Sequence, residues 1–143
     1  MREIKFRGKC IKTGNLIFGS LISFDEQSKF IFQGHEAAST SSFADLVRAK
    51  MVMVEPSSVA QYTNQKNHED IEIYEGDYVS KELDNGFDYG EFEGIVELID
   101  GKWVINNRVN HYEELFTEIE QIEILGNVFD NPELLKRIET ISN

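Results

Sequence analysis

The strongest constraint on this chain is an alternation of apolar and polar side chains with period two, restarted after each cluster of glycine, asparagine and acidic residues. Ile4-Lys5-Phe6-Arg7 alternates apolar with charged residues, the pattern of a half-buried strand, with Ile4 and Phe6 expected inward. Thr13-Gly14-Asn15 supplies turn chemistry, because glycine and asparagine both accept positive φ. Along the next segment Leu16, Phe18, Ile22 and Phe24 make one apolar face, while Gly19 permits a bend or bulge. After the polar turn Asp25-Glu26-Gln27-Ser28, Phe30 and Phe32 continue the alternation. Such a chain is expected to fold as an antiparallel meander rather than as βαβ units. Gly34 to Ser42 is small and polar and reads as a loop; Met51–Val54 and Val59–Tyr62 are short strand candidates separated by Pro56.

The second half repeats the pattern. Tyr62 to Asp70 is polar and reads as a loop, and Ile73 to Val79 as a tight turn feeding a strand. Glu82 to Gly90 forms an acidic, glycine-bearing stretch. Phe92, Val96 and Leu98 line one face of the following strand, with Glu91, Glu93 and Glu97 on the other. Asp100-Gly101 before Lys102-Trp103-Val104-Ile105 is a hairpin signal. His111 to Phe116 reads as a short helical turn, and Ile122–Leu125 as a last strand ending at Gly126-Asn127. Asn131-Pro132-Glu133 then has the cap, first-turn proline and acidic residue of a helix start. Leu134, Leu135, Ile138 and Ile141 fall on one stripe suited to packing on a sheet. The expected organisation is a β-meander over 1–60, a small barrel over 61–130 and a helix over 131–143.

Composition bounds the partners. Of 143 residues 41% are hydrophobic, enough for a core, and the net charge is −12. That charge excludes a uniformly basic binder and disfavours nucleic acid. Its distribution is uneven: residues 1–60 hold 8 basic and 6 acidic side chains, residues 61–143 hold 6 and 20. Arg2, Lys5, Arg7, Lys9 and Lys12 make the first strand locally positive. Such charges solvate a strand and blunt edge association, or they dock on acidic protein or phosphate. Apolar runs fall far short of the ~20 residues of a membrane span. The opening has no continuous apolar region of a signal peptide, and Cys10 is alone, so no membrane and a reducing, cytoplasmic setting are expected.

Tyr74-Glu75-Gly76-Asp77 places two carboxylates and a phenol on one turn, and its structural reading is the stronger one: Gly76 takes positive φ and Asp77 accepts backbone N–H bonds. Gly126-Asn127 and Pro132 are likewise read as structural. His35, His68 and His111 show no metal spacing. Asp84-Asn85-Gly86-Phe87-Asp88 lacks the closing glutamate of a calcium loop, and Cys10 has no identifiable catalytic partner. No nucleophile elbow, phosphate loop or dinucleotide fingerprint occurs. No catalytic residue, metal site or cofactor is therefore expected. Trp103 reads as core. Phe87, Tyr89 and Phe92, in an acidic glycine-bearing stretch, are the candidate binding residues, because exposed rings on a small barrel mark contact surfaces.

Gly76-Asp77-x-Val79, Glu93-Gly94-Ile95-Val96 and Asp100-Gly101-Lys102-Trp103 follow one another as in an SH3-like barrel. With Gln61-Tyr62-Thr63, Glu72-Ile73-Tyr74-Glu75-Gly76-Asp77, the run from Ile122 to Leu135 and the Met1–Arg7 opening, the chain resembles the YopX family of phage and prophage proteins. The resemblance implies an SH3-like barrel in the C-terminal part, a bacterial or phage cytoplasmic setting and no established activity. Glu69-Asp70 stands where the family pattern carries Asn-Gly, and Asn64 where it carries glycine, which places the shape of that loop in question.

The leading expectation is a non-enzymatic phage or prophage accessory protein, an interaction module binding a protein partner or another copy of itself. The alternatives are an acidic mimic of nucleic acid that inhibits a host nucleic-acid-binding protein, with Glu91, Glu93 and Glu97 as its ladder, or a weak nucleic-acid-binding module using the basic N-terminal strand.

Overall fold

The structure, a computed structural model, describes residues 3–33, 42, 44–45, 50–84, 89–109, 111–115 and 121–134. The described strands are β1 (Phe6–Lys9), β2 (Leu16–Ser23), β3 (Lys29–Phe32), β4 (Met51–Val54), β5 (Ala60–Lys66), β6 (Glu72–Tyr74), β7 (Asp77–Asp84), β8 (Tyr89–Ile99), β9 (Lys102–Asn106), β10 (Tyr112–Glu114) and β11 (Ile122–Asn127), with a 3-10 turn at Pro56–Ser58. They form two antiparallel sheets, ordered β4-β3-β2-β1-β5-β6 and β10-β9-β8-β7-β11. The protein is mainly β. None of the described residues forms a helix long and apolar enough to cross a membrane. The chain divides into two compact units, Met1–Tyr62 and Thr63–Asn143. The division falls inside β5, whose first residues pair with β1 through Phe6↔Gln61 and Arg7↔Ala60.

In the first unit β1 pairs with β2 from Phe6↔Gly19 to Lys9↔Leu16. Just past its end Cys10 bridges Val54 of β4, flanked by the Ile11 amide donating to the Met53 carbonyl (3.2 Å) and the Glu55 amide donating to the Lys9 carbonyl (2.8 Å). Since β4 lies three places from β1 in the sheet order, the sheet curls until β4 meets the end of β1. The enclosed face is narrow. Ile31 and Val54 are fully buried there, and a Cβ on Gly8 would stand 3.0 Å from the Val54 side chain and 3.1 Å from that of Ile31. At Gly19 a Cβ would meet the Phe32 carbonyl oxygen at 2.1 Å. At Gly19 no side chain fits beside the Phe32 backbone, and at Gly8 one would press on Val54 and Ile31.

The apolar face read along β2 is not the enclosed one. Leu16, Phe18 and Phe24 are exposed, whereas Gly19 and Ile31 are buried. Register places Ile22, Phe30 and Met53 in one row on that outer face, and Ser20, Phe32 and Met51 in the next. Both faces of β2 carry apolar residues, and the bulkier set cannot enter so tight a curl. Ile4, expected inward, precedes β1 and is exposed.

The second unit packs Ile73, Val79, Val96, Ile105, Leu115 and Ile122 into one core, with Phe92, Trp103 and Ile124 against it. The opposite face of the five-stranded sheet buries Tyr78 and Ile95 beside Val128 and Leu134. Leu98 shares the register of Val96 but lies exposed near the strand's end. Among the described residues no ladder joins β10 to β11, so this sheet is open.

Three segments differ from expectation. β5 runs on to Lys66 rather than ending in a loop, and turns into β6 through Asn67–Asp70, where the Asn67 amide donates to the Ile71 carbonyl and the Asp70 amide to the Asn67 carbonyl. Asn64 and Asp70, the residues standing where glycine was expected, have φ of 65° and 64°. Asparagine and aspartate are the non-glycine residues that best tolerate this region, so the backbone shape is kept. Residues 112–114 form β10 rather than a helical turn, because pairing with β9 (Glu113↔Ile105) outweighs the helix preference of glutamate. β7 reaches Asp84 and β8 begins at Tyr89, so strand occupies both ends of the acidic stretch. Of the helix expected over 131–143, Glu133 and Leu134 are helical and 135–143 lie outside the described residues, as do 34–41 of the small polar loop.

Candidate functional site

The Tyr74–Asp77 turn is built from its backbone outward. Gly76, at φ 84°, lets the chain reverse between β6 and β7. Asp77, only 2% exposed, accepts the Tyr74 amide on Oδ2 at 2.9 Å. The Gly76 amide donates to the Val96 carbonyl and the Val128 amide to the Gly76 carbonyl, both at 2.9 Å, so the turn is tied to β8 and to the exit of β11. The buried Tyr74 sends its hydroxyl to Glu72 (3.1 Å). Glu75 is half-buried beside it. The carboxylate enclosed here binds backbone, which makes the turn a joint between strands.

Gly126, Asn127 and Pro132 belong to a second such joint. The Asp130 amide donates to Asn127 Oδ1 at 2.8 Å, and the Asn131 amide to the Asn127 carbonyl at 2.9 Å. A Cβ on Gly126 would lie 2.7 Å from Asn131 Oδ1, so a side chain there would displace that of Asn131.

Of the three aromatic candidates, Phe92 is the one whose side chain is described. Phe87 lies outside the described residues, and Tyr89 opens β8. Phe92 packs on the core and makes an edge-to-face contact with His111 at 5.5 Å. His111 Nε2 in turn meets Glu113 Oε1 at 2.6 Å. Beside Phe92 in register is Lys81, 2% exposed, whose Nζ donates to the Glu114 carbonyl at 2.8 Å. That buried ammonium was not singled out from sequence, since an isolated lysine in a strand carries no signal of burial.

The acidic ladder is partly engaged. Tyr78 donates its hydroxyl to Glu93. Glu97 accepts from Asn106 (2.9 Å) and from Arg108 Nε (2.7 Å), while Glu91 is exposed. No group of three or more histidine, cysteine, aspartate or glutamate side chains able to hold a metal occurs among the described residues. Cys10 is buried, and the Thr13 hydroxyl, with the Thr13 amide behind it, draws its thiol below the ordinary cysteine value.

The surface feature that sequence reasoning missed is the outer face of the first sheet. Phe24 is 68% exposed, Ile11 46%, Phe18 43%, Met53 42% and Leu16 38%. Phe24 and Phe30 meet edge to face at 5.7 Å. Ile11, whose amide bonds the Met53 carbonyl, extends the apolar band past β4. The available signal was Gly8 and Gly19 on the other face: glycines in a strand mark the side on which something approaches closely.

Two antiparallel sheets, one curled until β1 meets β4 and one open, with joints at Tyr74–Asp77 and Gly126–Asn131, define a mainly-β protein of two compact units. The family described as YopX protein matches residues 5–136, nearly the whole chain, and this chain belongs to that family. Among solved structures it is similar to the crystal structure of protein EF1440 from Enterococcus faecalis, with 16% identity, 94% of this chain and 99% of that one covered, and a TM-score of 0.47. A comparison with the curated proteins finds no match.

Proposed function

We propose that this protein is a non-enzymatic interaction module, a phage or prophage accessory protein of the bacterial cytoplasm that binds a protein partner through exposed apolar surface. The observation that supports this best is the outer face of β2, β3 and β4, where Phe18, Phe24 and Met53 keep much of their surface in water although an enclosed face is available on the same strands. Contiguous exposed apolar surface of this kind belongs to contact sites. The phage setting comes with the family resemblance. The SH3-like reading of residues 61–130 and the helix from Asn131 rest on sequence pattern and belong to the same proposal.

Basic recognition of nucleic acid has less support, because Arg7 is buried and Lys5 is held beside Glu3 and the Tyr62 ring. The mimicry reading is weakened by the engagement of Glu93 and Glu97 within the fold. The test is capture from bacterial lysate on immobilised protein, comparing wild type with Phe18→Ser/Phe24→Ser. A protein recovered reproducibly by the first and lost with the second is expected. Recovery of nothing, together with monomeric behaviour in solution, would refute the reading.

A further inference from the structure

The second sheet ends in two strands, β10 and β11, that carry no outer ladder among the described residues, and their free backbone groups differ. On the β10 side the Asn107 amide bonds the His111 carbonyl and the Leu115 amide the Trp103 carbonyl, so antiparallel alternation turns the backbone groups of Tyr112 and Glu114 away from β9. The Glu114 carbonyl is already taken, by the buried Lys81 ammonium at 2.8 Å. A strand added there would have to displace it.

On β11 the Glu82 amide donates to the Gln121 carbonyl at 3.0 Å, which fixes the phase of the ladder with β7. Glu123 exchanges its backbone bonds with Ser80, and the amides and carbonyls of Ile122 and Ile124 point outward. Past the register shift between Ile124 and Gly126, the outward groups of Asn127 are met by Asn131, whose amide donates to the Asn127 carbonyl at 2.9 Å and whose Oδ1 accepts the Asn127 amide at 3.4 Å. Among the described residues nothing bonds the outward groups of Ile122 and Ile124. Two alternate residues with unpaired backbone on the rim of a sheet are the geometry of strand addition.

The side chains beside this edge select what can be added. Ile122 is buried and Ile124 half-buried, both against the core of the unit, so residues placed opposite them extend an apolar face. Glu123 lies on the other face and is exposed; register sets it in line with Ser80 and Glu93, and the next pair along that face is Glu82 opposite Glu91. Lys81 is the one base in β7, β8 and β11, and it is buried. A basic residue opposite Glu123 therefore gains a cross-strand ion pair in an acidic field, and an acidic one is repelled. A second copy pairing β11 with β11 about Glu123 would set carboxylate against carboxylate.

We propose that the outer edge of β11 takes up an extended segment of a partner protein as an added antiparallel strand, with a lysine or arginine facing Glu123 between two apolar residues facing Ile122 and Ile124. This surface is separate from the apolar face of the first sheet.

Amide hydrogen exchange on the full chain tests it, with two short peptides as probes, one alternating lysine with valine and one alternating glutamate with valine. The lysine peptide is expected to slow exchange at the Ile122 and Ile124 amides roughly tenfold, and the glutamate peptide to leave them unchanged. Glu123→Lys, at an exposed position and checked for folding by circular dichroism, should transfer the preference to the glutamate peptide. A lysine–valine peptide with a central proline, which keeps the charge and loses the ladder, should protect neither amide. Phe18→Ser/Phe24→Ser should leave the binding as it is. No binding of the lysine peptide overturns the proposal, as do equal protection by both peptides, a proline peptide as effective as its parent, protection confined to other strands, or loss of binding in Phe18→Ser/Phe24→Ser.

Discussion

Two glycines four residues apart on one strand should respond to alanine with opposite signs. At Gly94 a Cβ would stand 2.7 Å from the Asn106 carbonyl oxygen, 2.8 Å from its carbon and 2.9 Å from Ile105 Cγ2. Ordinary contact begins near 3.4 Å, so the closest atom is 0.7 Å too near, and it is backbone of the paired strand β9. Relief requires β8 and β9 to separate. Over-packing of this kind costs about 1–3 kcal/mol, and with Ile105 fully buried beneath we expect Gly94→Ala to reach about 2 kcal/mol or more. Gly90 has nothing within 4 Å of its would-be Cβ and does not carry a positive φ. There alanine only restricts the unfolded chain, a gain of about 0.5–1 kcal/mol. Trp103 on β9 packs against the neighbouring core and reports unfolding of this unit by fluorescence. At about 4–8 °C per kcal/mol for a unit of this size, Gly94→Ala should lower the transition by about 10 °C and Gly90→Ala raise it by a few degrees. Equal signs, or a Gly94→Ala variant as stable as wild type, would refute the claimed closeness of the strands.

Removing the acceptor in Asp77→Ala strands the buried Tyr74 amide, a loss of about 1–3 kcal/mol, read as a lowered urea midpoint, whereas Asp77→Asn, which retains an oxygen, should lose less. Asp70→Gly relieves a left-handed aspartate, worth about 1 kcal/mol, against an exposed Lys66 pair at 3.5 Å worth a few tenths; a net rise in thermal midpoint is expected, and a fall would contradict the turn geometry. Because Thr13 lowers the Cys10 thiol, the pH at which Cys10 alkylation accelerates should lie below that of an unperturbed cysteine. It should move upward in Thr13→Val, as followed by mass spectrometry across a pH series.

The strands were legible where a turn residue and an alternation coincided. Asp100 and Gly101 have φ of 50° and 79°, as a two-residue hairpin turn needs, and Gly76 turns β6 into β7. The mainly-β class and the family followed from such segments. What sequence could not supply was set by tertiary pairing: β10 exists because β9 offers it a ladder, and β5 continues as strand through Lys66 despite its polar sequence. The candidate surface was hidden for a different reason. A period of two says that a strand has two faces without saying which one is enclosed, and in β2 both are apolar. The decision came from the available volume, expressed in the sequence by Gly8 and Gly19.

The enclosed and outer faces of the first sheet should respond very differently to truncation. If volume decides the face, truncating Ile31 empties the interior of the curl, whereas truncating Phe24 removes surface that water already covers. Ile31 has no exposed area and packs near both glycines, so Ile31→Ala combines lost transfer energy with a cavity and should cost about 2–5 kcal/mol. Phe24, 68% exposed and touching Phe30 by its edge, should cost well under 1 kcal/mol in dilute solution as Phe24→Ser, by loss of a marginal aromatic pair. Urea unfolding followed by far-ultraviolet circular dichroism separates the two. Were the larger loss to follow Phe24→Ser, the curl would be inside out relative to this account, and the outer face would lose its claim to be a contact surface.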